Sequence, residues 1–325
     1  MKPPEQPASE VAAHRPAEPA DRWVRLGDGR RICYREFGAA DGFPVVALHG
    51  TPGSRLKFAA THACAASLGL RLICPDRWAY GGSDAPKNPV LADYARDIEQ
   101  LADALGLDTF ALAGISGGGP YAAAVAAKLG RRIARLALIS PVGPLAGATP
   151  WAELRPFHRF CFRVLPRLPG AIPSAFGFLR VALAVAPHSA VRLTAWRAAA
   201  ADRALLFRDP LIRDSLAKAF HAGLAAGLRG PSIDLQIFSS PWNVPLGRTA
   251  AASRVWLGTA DRNVPLAAAQ NLARALDAQL IRLEGAGHFW FCRHYEEVLS
   301  WLGARPLGQR EGDAGGERTP ADTIG

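Results

Sequence analysis

A serine set among glycines, Gly114-Ile115-Ser116-Gly117-Gly118, lies between the apolar run Phe110 to Ala113 and the alanine-rich stretch Pro120 to Leu129. The first stretch reads as a short buried strand and the second as a helix, which puts Ser116 on a tight strand-to-helix turn. Such a turn strains the serine backbone, and side chains at 114 and 118 would collide with the neighbouring strand and helix. A serine presented in this way is a candidate nucleophile. Its hydroxyl reacts poorly at neutral pH until a base removes the proton, and the base in turn needs a carboxylate to orient it.

Both partners are available downstream, each just past a strand. Val255 to Leu257 reads as a strand running into Gly258-Thr259-Ala260-Asp261, and Leu280 to Glu284 as a strand running into Gly285-Ala286-Gly287-His288. Ser116, Asp261 and His288 then follow one another as nucleophile, acid and base. Asp234 is a rival acid, and Asp76 reads as structural. His49 and His294 are weaker candidates for the base: the first is expected to shape its loop, the second to sit on the final helix.

Upstream, the strand Val45 to Leu48 leads into His49-Gly50-Thr51-Pro52-Gly53. The strand around Ile73 leads into Pro75-Asp76-Arg77-Trp78-Ala79-Tyr80-Gly81-Gly82-Ser83. With the serine turn and the two downstream strand ends, these blocks resemble the α/β-hydrolase fold superfamily, in its serine esterase, proline iminopeptidase-like and perhydrolase-like branch with a helical cap. The resemblance covers roughly residues 30 to 302. It implies an α/β fold with a mostly parallel eight-stranded sheet flanked by helices. It also implies a Ser116–His288–Asp261 triad and an oxyanion hole made by the backbone N–H groups of Thr51 and Gly117, since Pro52 cannot donate. A serine at the turn, where the haloalkane dehalogenase and epoxide hydrolase branches carry aspartate, disfavours those branches.

The elements needed to position these residues are legible as alternating strands and helices from an opening hairpin at Trp23 to Phe37 onward, a pattern that specifies a mostly parallel sheet covered on both faces. All the chemical motifs fall at the carboxyl ends of strands, where open α/β sheets bind ligands. Between Ser140-Pro141 and Gly230-Pro231 the alternation gives way to a proline-broken helical stretch. The expected organisation is a disordered arm over 1–21, a core formed by 22–144 and 231–302, a helical cap over 145–230 and a flexible tail over 303–325.

In the cap, Trp151, Phe157, Phe160, Phe176, Phe178, Trp196 and Phe220 are the aromatic candidates for facing the pocket. Its acids are only Glu153, Asp202, Asp209 and Asp214 among many arginines, which leaves a cationic substrate few partners and favours a neutral or anionic ester.

Composition sets the remaining bounds. A chain of 325 residues with 49% apolar content can bury one large core. No apolar run is long enough for a membrane span, and the N-terminal stretch has no signal-like apolar core, so a cytoplasmic location without integral membrane association is expected. The net charge of +10 comes almost wholly from scattered arginines, without aromatic interleaving or a nucleic-acid motif, so no nucleic-acid partner is expected. Five scattered cysteines form no metal-ligand spacing; Cys33 and Cys74 look like core residues. Nothing points to an oligomeric state.

The expected function is a cofactor-free serine hydrolase that cleaves a small neutral or anionic carboxylic ester through an acyl-enzyme. Aminopeptidase, amidase, C–C bond hydrolase or peracid chemistry could use the same triad. A lyase, a cofactor-free oxygenase or a ligand-binding receptor could use the same fold.

Overall fold

The computed structural model describes residues 19–304; the arm expected over 1–21 and the tail expected over 303–325 lie outside the described residues except at their inner ends. The chain opens with a hairpin of β1 (Asp21–Arg25) and β2 (Arg31–Gly38), turned through Gly29 at a positive φ of 87°. There follow β3 (Phe43–Leu48), a 3₁₀ segment Arg55–Thr61 continued by α1 (His62–Ser67), β4 (Leu70–Pro75) and α2 (Tyr94–Ala104). Then come β5 (Phe110–Ile115), α3 (Gly119–Leu129) and β6 (Ile133–Ile139).

The eight strands form one sheet in the order β1-β2-β4-β3-β5-β6-β7-β8, parallel from β4 through β8, with β1 and β2 antiparallel at one edge. The later members are β7 (Ala252–Gly258), α10 (Leu266–Ala275), β8 (Gln279–Leu283) and α11 (Phe291–Gly303). Because β3 lies between β4 and β5, the strand order reverses there, opening a crevice beyond the carboxyl ends of β3 and β5.

Every residue of β5 is buried, as a central strand covered on both faces requires. Side-chain alternation divides the core in two. Val46, Leu112, Leu136 and Leu138 pack with α2, α3 and α10, whereas Val45, Ala111, Ala113 and Trp256 pack with α1 and α11.

Between β6 and β7 the chain is helical: α4 (Pro156–Arg159), α5 (Ala171–Val185), α6 (Pro187–Thr194), α7 (Ala200–Arg208), α8 (Pro210–Leu224) and α9 (Arg229–Ser239). Leu183, Val191, Leu206, Leu216 and Phe220 give this segment its own small core, which reaches Phe289 in the loop after β8. The helical run continues through Ser239, and α9 packs Ile233, Leu235, Ile237 and Phe238 into the main core. Helix α5 buries only Ile172 and Leu183 and turns Phe178, Val181 and Val185 to solvent. Among the described residues no single helix is long and apolar enough to cross a membrane.

Candidate active site

Ser116 stands between β5 and α3 with φ at +52°, a conformation that side-chain-bearing residues adopt only under constraint. The constraint is visible on either side. A Cβ on Gly114 would lie 2.7 Å from that of Ala122 on α3, and one on Gly118 would lie 2.5 Å from the carbonyl oxygen of Leu48 at the end of β3. Only glycines allow the turn to pass this close to both neighbours. The Val142 N–H donates to the Ser116 carbonyl at 3.0 Å and fixes the turn from β6.

His288 approaches from the loop after β8. Its Nε2 lies 3.1 Å from Ser116 Oγ, and its Nδ1 lies 2.7 Å from Asp261 Oδ2. Asp261 is fully buried beyond β7, and its other oxygen accepts the N–H groups of Asn263 and Val264. An ionised carboxylate only accepts, so the network assigns the His288 proton to Nδ1 and leaves the Nε2 lone pair facing the serine hydroxyl. Burial disfavours the charged imidazole, but the charge and hydrogen bond of Asp261, with Asp202 behind, outweigh it and hold His288 above its ordinary pKa; Lys57 pulls the other way.

Asp202, one of the four cap acids, lies on α7 and contributes to the site in a way that its place in the sequence does not mark. It is buried, and its two oxygens accept the backbone N–H groups of His288 at 2.8 Å and Phe289 at 2.9 Å. A Cβ on Gly287 would meet its carboxyl carbon at 2.2 Å, so glycine is required there. Asp209 is likewise committed, capping α8 through the N–H groups of Leu211 and Ile212 and pairing with Arg293. Neither acid offers a free carboxylate for a substrate amine.

Asp234 is not the acid that orients His288, which corrects the rival assignment. From α9 it accepts Arg77 through both oxygens (2.6 and 2.8 Å), the hydroxyls of Tyr80 and Tyr121 (2.7 Å each), and the hydroxyl of Thr51. Arg77 and Asp234 are both essentially inaccessible to solvent, and Arg77 also donates to the carbonyls of His49 and Gly50. The His49 ring completes the loop: Nε2 accepts the Arg77 N–H and Nδ1 donates to the Gly50 carbonyl. Burial, followed by the Arg77 charge, pushes His49 well below the ordinary imidazole range, so it stays neutral. Asp76 is structural, bound by Arg55 and the N–H of Gly82. Thr51 and Gly117 face each other beside Ser116, close enough that a Cβ on Gly117 would strike the Thr51 hydroxyl.

A cavity of about 370 Å³ lies over Ser116 and His288. Of the expected aromatics, Phe157, Phe176 and Phe220 line it. Phe160, Phe178 and Trp196 do not and are largely exposed, and Trp151 packs on the core. The walls are otherwise mainly apolar, with Phe162, Leu216, Leu235 and Phe238 among them; Thr51, Thr194 and Asn263 are polar, and Lys57, which no sequence motif marks, is charged.

Fold and site together define a class, and the comparisons with known proteins agree. The chain belongs to the alpha/beta hydrolase fold family, whose pattern it matches over residues 44–295. It is similar to a non-heme chloroperoxidase from Streptomyces lividans, 38% identical over 124 residues covering 38% of this chain and 45% of that protein. It is also similar to a haloalkane dehalogenase from Mycobacterium marinum (strain ATCC BAA-535 / M), 33% identical over 156 residues covering 46% and 51% respectively. The chain thus spans about half the length of either relative. An alpha/beta hydrolase fold protein from Nakamurella multipartita superposes with a TM-score of 0.66 over 87% of this chain and 98% of its own, at 22% identity, a likeness of fold.

Proposed function

We propose that this hydrolase-family protein is a serine hydrolase that cleaves a small carboxylic ester without a cofactor. The observation that carries the reading is the hydrogen-bonded chain Ser116–His288–Asp261 opening into an apolar cavity. His288 Nε2 takes the proton of Ser116 as Oγ attacks the ester carbonyl, and Asp261 holds the tautomer and balances the imidazolium. The N–H groups of Thr51 and Gly117 receive the oxyanion, held in place by the Asp234 network on one side and the serine turn on the other. His288 then passes its proton to the departing alkoxide, leaving an acyl-serine. A water deprotonated by His288 attacks that acyl group, and the carboxylic acid leaves as Ser116 regains its proton.

The similarity to a non-heme chloroperoxidase favours a second reading at the same residues: hydrogen peroxide in place of water would release a peracid from the acyl-serine. Halide displacement of the kind named for the dehalogenase relative is not proposed, because position 116 supplies a hydroxyl in place of a carboxylate nucleophile. The test is labelling by a fluorophosphonate probe of wild type beside Ser116→Ala, with mass mapping of the adduct. An adduct on Ser116 that His288→Ala abolishes supports the reading. A folded wild-type protein that takes no label, or takes it elsewhere, overturns it.

A further inference from the structure

Lys57 brings a positive charge to a cavity whose walls are mainly apolar, with Thr51, Thr194 and Asn263 as uncharged polar members. It is half-buried, and its Nζ has one polar partner among the described residues, Cys292 Sγ at 3.4 Å. A thiol is a weak acceptor and does not neutralise an ammonium group. Other shielded cations among the described residues are better satisfied: Arg77 meets Asp234, Arg55 meets Asp21 and Asp76, Arg30 meets Asp97, and Arg213 donates to the carbonyls of Leu206 and Phe207. Lys57 has neither a carboxylate nor a carbonyl among its hydrogen-bond partners, and it lies on the surface a substrate would occupy. Desolvating a cation costs free energy unless an anion or strong acceptors replace the water.

A second feature has the same sign. Arg155, Arg197 and Arg262 line a surface groove that shares the Phe157 ring with the cavity, and Arg197 stacks over that ring at 4.2 Å. Among the described residues none of the three is ion-paired with a carboxylate, and no acid lines the groove. Arg262 immediately follows Asp261, so the groove reaches the site through the loop that orients His288. A cationic vestibule concentrates anions at the mouth of a low-dielectric cavity.

We propose that Lys57 binds a carboxylate carried by the substrate, so that the preferred esters are half-esters of dicarboxylic acids, drawn in by the arginine groove. This rests on the hydrolase reading above and narrows it. The free carboxylate would displace Cys292 from the ammonium while the ester carbonyl lies at Ser116, and the apolar walls would receive the methylenes between them.

The experiment compares monoethyl succinate, glutarate, adipate and suberate with the corresponding ethyl esters whose far carboxylate is a neutral amide. In wild type, kcat/KM for at least one half-ester should exceed that of its amide partner by about tenfold or more, the worth of one charge-assisted hydrogen bond. That ratio should fall toward one in Lys57→Met, mainly through KM, and be largely kept in Lys57→Arg. Added salt should reduce it further through the groove. A ratio at or below one across the series, or a ratio unchanged in Lys57→Met, overturns the proposal. Lys57→Gln replaces Lys57→Met if the latter does not fold.

Should neither ester class turn over, the half-esters are titrated calorimetrically into Ser116→Ala. Saturable binding that the added Lys57→Met change abolishes upholds the carboxylate site, whatever the fate of the hydrolase reading. Absence of binding overturns the carboxylate site, while labelling of Ser116 by the fluorophosphonate probe decides the hydrolase reading separately.

Discussion

Asp234 accepts a hydrogen bond from the hydroxyl of Thr51 while both of its oxygens are held by Arg77. One carboxylate on α9 thereby fixes the loop after β3, the loop after β4 through Tyr80, and α3 through Tyr121. The pair is buried away from water, so removing one charge leaves the other without compensation. Asp234→Asn should therefore lower stability by about 3–5 kcal/mol. Urea unfolding followed by fluorescence checks this, and a loss under about 1 kcal/mol would refute the assigned role.

Asp261→Asn should behave in the opposite way. The carboxamide can still bond to His288 but favours the wrong tautomer, so kcat should fall on the order of 10⁴-fold with a much smaller change in stability. Steady-state kinetics and a melt on the same preparation separate the two aspartates. If Asp234→Asn proves the more damaging to kcat in fully folded protein, the acid has been wrongly placed.

The contrast between these two residues also marks what could be read without the structure. The convergence of Ser116, Asp261 and His288 was legible because each follows a short strand-like run ending in glycine, and parallel sheets bring strand ends together. Helix α3 was likewise legible, bounded by its glycines. Asp234 was not, because an acid on a helix carries no mark of whether an imidazole or a guanidinium faces it. Phe178 was expected to face the pocket but faces solvent, since α5 is apolar nearly all round and its periodicity selects no buried face. Lys57 and Asp202 act across long sequence separations and carry no local motif.

Asp202 sets the height of the His288 loop. Asp202→Ala would remove the acceptor for two backbone N–H groups, and Gly287→Ala would push a methyl group into the carboxylate. Either change should displace the imidazole and reduce kcat by about 10²-fold, the scale of an ångström-sized misplacement. Crystal structures of the variants should show His288 Nε2 withdrawn from Ser116 Oγ. Unchanged kcat in both variants would mean that the loop holds itself.

The pH dependence follows from the charges around His288. The imidazole must be neutral to accept the Ser116 proton, and its pKa is raised above 6.5 because Asp261 and Asp202 together outweigh burial. Hence kcat/KM should rise with pH through a value above 6.5. Lys57→Met removes a cation that opposes protonation and should move this limb to higher pH, whereas Asp202→Asn removes an anion and should move it lower. The linked effect on stability has a definite sign. The folded state binds the proton more tightly than the unfolded chain, so the contribution is fully present below about 6.5 and is lost as pH rises through the folded value. His288→Gln should abolish that component of the stability profile. An acid limb below 6.5 in wild type, or shifts of the same sign in the two variants, would contradict this account of the charges.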